Sequence, residues 1–177
     1  MDVLSRIKDE KGIDFHLIIV GEATGRFQKE YYQKVEDYYN EKEYKSFVEL
    51  KTNVSRDEMA VLYAGTDVFV IPSTLEMASV SQLEAMSYSV PVICSDTNGT
   101  SCYVENGRDG YLFKDCDSDD LYDKLVKMLD SRSGIRQMGR FAYEDVISKY
   151  LFRNYYDGIM KILNDNFKKQ THDRMGG

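Results

Sequence analysis

Asp67-Val68-Phe69-Val70-Ile71-Pro72-Ser73-Thr74-Leu75-Glu76-Met77-Ala78-Ser79-Val80-Ser81-Gln82-Leu83-Glu84-Ala85-Met86 is the stretch whose reading decides the fold. The run from Val68 to Pro72 is apolar at every position, so neither of its faces suits water. A strand apolar on both faces belongs in a parallel sheet covered by helices. From Val80 to Tyr88 the chain reads as a helix, and Pro91-Val92-Ile93-Cys94 reads as a second buried strand. Strand, helix, strand is the βαβ unit of parallel sheets.

The pattern continues on both sides. Upstream, Val3 to Lys11 reads as a helix stopped at Gly12, and His16-Leu17-Ile18-Ile19-Val20-Gly21 as a strand interrupted by His16. Phe27, Tyr31, Val35 and Tyr38 share one face of an amphipathic helix. Phe47-Val48-Glu49-Leu50 is a short strand. Ser55 and Glu58 form a capping box that opens a helix through about Tyr63, ended by Gly65. Downstream, Gly110-Tyr111-Leu112-Phe113 is a further strand. Helices follow over Ser118 to Leu129, Ile135 to Lys149 and Phe152 to Phe167. Strands alternating with helices give an α/β class with a Rossmann-like, doubly wound parallel sheet and helices on both faces. The expected domain is 1–167, and 168–177 reads as a flexible polar tail.

Bulk composition bounds the function. The chain has 177 residues, 42% hydrophobic and 30% charged, which suits one globular domain. A net charge of -7 argues against nucleic acid as a partner. Three cysteines, Cys94, Cys102 and Cys116, show no C-x-x-C pair, so reduced thiols are expected, not a disulfide framework or a zinc site. No apolar run approaches membrane-spanning length, and the first residues are polar. The expected location is the cytoplasm, either free or peripheral to the inner face of the plasma membrane.

In a doubly wound sheet, ligands sit outside the carboxyl ends of the strands. The loops to watch therefore follow Val20, Ile71 and Cys94. After Ile71, Glu76 and Glu84 stand eight positions apart, the first in the loop and the second inside the helix. The free backbone N–H groups from Ser79 to Gln82 and the helix dipole suit a phosphate. Glu84 can then accept hydrogen bonds from vicinal sugar hydroxyls, and Glu76 can reach a second sugar beyond the phosphates. The acidic run Asp115 to Asp120 is read as a cap for the next helix, so no metal is expected.

The ordered set Pro72-Ser73, Glu76 to Glu84-Ala85-Met86, Pro91-Val92-Ile93, Asn98-Gly99-Thr100 and Gly107 to Gly110-Tyr111-Leu112-Phe113 resembles family 4, or group 1, glycosyltransferases. Any one piece is generic; the order is specific, and the likeness covers about residues 13 to 163. The resemblance implies the nucleotide-sugar half of a GT-B enzyme, a retaining catalyst that needs no cofactor or metal. It implies that Glu76 is the catalytic carboxylate beside the donor sugar. Glu84 would bind the ribose, and Met77, Ala78, Ser79, Val80 and Ser81, with Ser73, would form the phosphate and sugar loop. Gly21 would let backbone approach the donor, and Leu50 and Lys51 would face the base. The implied partners are a UDP- or GDP-linked sugar and an acceptor-holding half, supplied by an N-terminal domain or a second subunit. The Tyr-rich C-terminal helices would pack against that half. The implied setting is polysaccharide or lipopolysaccharide synthesis.

The sequence also departs from the family pattern. Met77 and Ser79 stand where glycines are usual, as does Ser89-Val90 before Pro91. The family's first strand, with its Arg and Lys for the diphosphate, has no counterpart. Arg6 and Lys11 precede the wrong elements and read as solvated helix charges. The alternatives are a non-catalytic interaction module and the half of a GT-B-like epimerase or phosphorylase. A phosphorylase would need a lysine for pyridoxal phosphate, and none is convincingly placed.

Overall fold

The computed structural model describes residues 1–74 and 76–175, the side chains of 43 and 166–175 excepted. Twelve regular elements alternate along the described chain. They are α1 (Asp2–Lys11), β1 (Leu17–Gly21), α2 (Arg26–Glu41), β2 (Val48–Thr52), α3 (Arg56–Ala64), β3 (Phe69–Ile71) and α4 (Val80–Ser87), followed by β4 (Val92–Ser95), β5 (Gly110–Phe113), α5 (Ser118–Leu129), α6 (Arg132–Lys149) and α7 (Phe152–Met175). Every ladder is parallel. The α/β class read from the alternation is the class observed.

The sheet itself comes in two pieces. β1 pairs with β2, and β3-β4-β5 form a second sheet. Among the described residues no ladder joins β1 to β3. Exposure follows pairing. β4, flanked on both sides, is buried at every position, whereas β3 is only half-buried and β1 ends exposed.

Local chemistry explains most boundaries. Gly12 takes the left-handed conformation, φ 63°, that ends α1. Ser55 and Glu58 cap α3 reciprocally. Asp117 accepts the N–H groups of Asp119 and Asp120 and so caps α5, as the acidic run suggests. Ser131 starts α6 at Arg132, three residues ahead of the expected Ile135.

The main core joins the two sheets through α1. Ile7, fully buried, packs with Ile93, Tyr111, Phe113, Tyr122 and Leu125, and Phe15, Val68 and Val70 lie against that cluster. Arg6 is not simply solvated. It pairs with Glu10 at 3.0 Å and Asp119 at 2.6 Å and lies over the Tyr122 ring, tying α1 to α5.

Three expectations are corrected. His16 does not interrupt a buried strand: β1 starts at Leu17, and His16 faces Glu49 from the surface at 3.5 Å. The α2 stripe is a helix face without a buried residue, with Phe27 84% and Tyr31 70% exposed, because only its C-terminal end reaches the Tyr44–Phe47 cluster. α7, read over Phe152 to Phe167, continues to Met175. Gly176 and Gly177 lie outside the described residues.

Candidate functional site

Two stapled pairs of loops form at the carboxyl ends of the strands. The first pair follows β1 and β2. Asn53, in the left-handed region at φ 52°, donates its N–H to the Gly21 carbonyl at 3.0 Å and accepts the Ala23 N–H at 2.9 Å. Asn tolerates this conformation better than most side chains. Gly21 is exposed, and open space lies where a side chain would stand. The ladder sets Leu50 opposite Ile19 and Lys51 opposite Val20. Lys51 pairs with Glu49 at 2.7 Å and lines a shallow cleft of about 360 Å³ with Val54, Asp57 and Leu62.

The second pair follows β3 and β4. The Ser95 hydroxyl donates to the Ser73 carbonyl at 2.6 Å, and the Gly99 N–H donates to the Glu76 carbonyl at 2.7 Å. The half-buried Glu76 side chain accepts the Ala78 N–H at 3.3 Å. Met77 and Ala78 are exposed. Ser79 is buried and occupies the N-cap of α4, yet its hydroxyl makes no capping bond. It lies 2.9 Å from the Ser81 hydroxyl instead. The first N–H groups of α4 are thus left without a side-chain cap, next to an exposed Val80. Uncapped helical amides and the positive end of the dipole attract anions.

Glu84 stands farther along α4, exposed, with its carboxylate 3.2 Å from the Tyr63 hydroxyl. Tyr63 comes from α3 and is buried. Burial and then the Glu84 charge push its phenol well above the ordinary range, so it stays a donor to Glu84.

The structure therefore collects Ser73, Glu76, Met77, Ala78, Ser79, Val80, Ser81 and Glu84 on one loop and helix. It collects Gly21, Leu50 and Lys51 on the other sheet. Among the described residues no hydrogen bond joins the two groups. A ligand spanning both would have to touch each.

Sequence reading missed two features. One is the Tyr63 contact to Glu84, which no local motif announces. The other is a buried polar group, Gln82, Asn98 and Thr100, none more than 2% exposed. Nothing in the local sequence of α4 marks Gln82 as a buried residue.

A second acidic cluster sits elsewhere. Carboxylate oxygens of Glu105, Asp109 and Asp145 lie within 4.8 Å of one another. Cations already meet it: Arg108 reaches Asp145 at 2.9 Å and Glu105 at 3.2 Å, and Lys149 reaches Asp145 at 2.7 Å. Burial would raise Asp145, but the Lys149 and Arg108 hydrogen bonds outweigh it and hold the acid low. Asp109, fully buried, is pushed up to about 6, chiefly by burial. This group clamps the turn before β5 onto α6.

Known proteins resemble this chain in sequence and in fold. The family described as glycosyl transferases group 1 matches residues 1–145. The chain belongs to that family. Among relatives of this group 1 chain, the sulfoquinovosyl transferase SQD2 of Arabidopsis thaliana is 35% identical over 127 residues, which is 66% of this chain and 24% of the relative. The Escherichia coli UDP-Gal:alpha-D-GlcNAc-diphosphoundecaprenol alpha-1,3-galactosyltransferase is 36% identical over 77 residues, 44% of this chain and 20% of that enzyme. The chain thus spans about a quarter of these relatives or less. The C-terminal domain of a group 1 glycosyl transferase, LpcC from Francisella tularensis, superposes with a TM-score of 0.67 at 23% identity, covering 85% of this chain and 77% of that one. The fold is that of one half of a GT-B glycosyltransferase. No helix among the described residues is long and apolar enough to cross a membrane.

Proposed function

We propose that this group 1 domain holds the nucleotide-sugar donor of a retaining hexosyltransferase, with the sugar passing to a hydroxyl acceptor held by another half. The observation that carries the reading is the uncapped N-terminus of α4, with Glu76 on the loop before it and Glu84 on the helix after it. In this reading the α4 amides take the diphosphate, Glu84 takes the ribose diol, and Glu76 acts beside the donor sugar. Gly21, Leu50 and Lys51 face the base from the other sheet. Preorganised dipoles aimed at a developing charge are the large term in such catalysis.

The base is uracil or guanine. The Escherichia coli relative, a UDP-Gal:alpha-D-GlcNAc-diphosphoundecaprenol alpha-1,3-galactosyltransferase, supports the first. The proposed setting is polysaccharide or lipopolysaccharide assembly, in the cytoplasm or at the inner face of the plasma membrane. A parallel strand between β1 and β3 would complete the order of a doubly wound sheet, whose binding crevice lies at that switch point. Phe152, Tyr155, Tyr156 and Ile159 leave an exposed apolar stripe on α7 for the acceptor half. On its own the chain is a donor-binding unit, not a complete catalyst. The exposed Met77 and Val80 at this loop favour a second reading, a non-catalytic interaction module that keeps the fold without binding a donor.

Titration with UDP, GDP and ADP by calorimetry or NMR tests the proposal. Saturable binding of one nucleotide, lost in Glu84→Ala, is the expected result. Equal binding by the variant removes Glu84 from the site. No binding at millimolar nucleotide favours the module.

A further inference from the structure

Glu76 sits on a loop that neither β3 nor α4 fixes directly. The restraints on it come from the segment after β4. The Gly99 N–H holds the Glu76 carbonyl at 2.7 Å. A methyl group on Gly99 would overlap the Met77 carbonyl oxygen and stand 2.9 Å from that of Glu76. Two backbones touch here with no space for a side chain, so close approach is what requires glycine.

Behind Gly99 lies the buried polar group. Gln82 donates its side-chain N–H to the Thr100 carbonyl at 2.9 Å. The Thr100 hydroxyl lies 2.7 Å from both the Gln82 and Asn98 side-chain oxygens, and its N–H donates to Asn98 at 2.9 Å. Gln82 belongs to α4, within one turn of Ser79. The helix whose amides face the diphosphate therefore also grips the loop that presses on Glu76. The group is one bond short: the Asn98 side-chain N–H₂ is buried without a partner. Buried donors are rarely left so, and such exceptions concentrate at functional or strained sites.

We infer that Gly99, clamped through Thr100 and Asn98 to Gln82, is a buttress that sets Glu76 against the N-terminus of α4. These four are positioning residues. They govern recognition of the donor's sugar, and recognition of its nucleotide rests on α4 and Glu84. The inference rests on the donor reading given above.

The test uses the 177-residue chain and two variants, Gly99→Ala and Thr100→Val. The first pushes on the loop; the second keeps the shape of Thr100 and removes its hydroxyl. Backbone amide shifts and hydrogen exchange report the buttress without any ligand. Both variants should move the resonances of Glu76 to Ser79 and speed exchange at residue 99, leaving β4 and β5 protected. Titrations with UDP, GDP, UDP-glucose and GDP-mannose report the role. Each variant should keep the nucleoside diphosphate affinity of the parent. Each should lose the added affinity for the sugar-linked form by about fivefold, the worth of roughly one hydrogen bond.

Unmoved resonances at 76 to 79 in Gly99→Ala overturn the buttress, whatever the nucleotides do. Equal losses for nucleotide and nucleotide-sugar overturn the division of labour and leave a general structural role. Moved resonances with no nucleotide bound to the parent chain overturn the assigned role through the donor reading, with the mechanical coupling standing.

Discussion

Replacing Asp109 by Asn should change stability in a pH-dependent way whose sign and size follow from its surroundings. Asp109 is fully buried before β5 and accepts the Glu105 N–H at 2.9 Å. Arg108, its nearest cation, stands at 3.5 Å and is engaged at 2.9 Å by Asp145. Burial is therefore poorly compensated, and the acid is raised from 3.8 to about 6. A carboxyl raised on folding binds its proton more tightly in the folded state. Its protonated form favours folding, and that contribution is lost as pH climbs from 3.8 through 6. At ~1.4 kcal/mol per pKa unit, the full loss is about 3 kcal/mol, and about 2 kcal/mol of it falls between pH 4.5 and 7.5. Asn carries no charge at either pH and keeps an oxygen for the Glu105 N–H. Its own fixed costs, such as an amide N–H₂ facing Arg108, cancel when the two pH values are compared. Urea unfolding of both proteins at both pH values measures the difference. The variant should gain about 2 kcal/mol relative to the parent on going to pH 7.5. Differences that stay parallel, within about 0.5 kcal/mol, would refute the burial argument.

Three further outcomes follow from the packing. Ser89 is held at φ 62°, which costs a side chain roughly 1–2 kcal/mol, while glycine's looser unfolded chain takes back about 0.5–1; Ser89→Gly should stabilise by about 0.5–1 kcal/mol in denaturant titrations. Gly139 of α6 lies against the Ser89 carbonyl with no space for a methyl, so Gly139→Ala should destabilise by about 1–3 kcal/mol despite alanine's better helix propensity, seen as a lower thermal midpoint. Tyr63→Phe removes the donor that holds Glu84, and should weaken nucleotide binding about three- to tenfold by calorimetry with the far-UV spectrum unchanged.

The legible part of this fold was what local pattern controls. The all-apolar run at Val68 to Ile71 sits in a parallel sheet, and Ser55-x-x-Glu58 caps its helix with both bonds made. Glu76 and Glu84 could be set on a loop and a helix because the strand, the loop and the helix each carry their own signal. What the chain hid was contact between distant segments. Gly99 touches Glu76 across 23 positions, and Tyr63 meets Glu84 across 21, with no shared period to betray either. The α2 stripe misled for a related reason. Periodicity reports which side chains share a face, and only the neighbouring elements decide whether that face is covered.

Ser89 illustrates how a departure from a family pattern acquires a physical cause. The resemblance implies glycine near Ser89-Val90, and the backbone at Ser89 is left-handed, the conformation that favours glycine. The neighbourhood holds that backbone in place: the Val90 N–H reaches back to Ala85, and Gly139 presses on the Ser89 carbonyl. Strain persists where surrounding contacts over-determine it. Here those contacts seat α6 against the turn that leads into β4, among the described residues the one strand paired on both sides. β4 in turn carries Ser95 and the loop through Gly99, which reaches Glu76. Relief at Ser89 should therefore raise stability without moving Glu76, because the restraints on Glu76 begin beyond Ser95 and are independent of the turn.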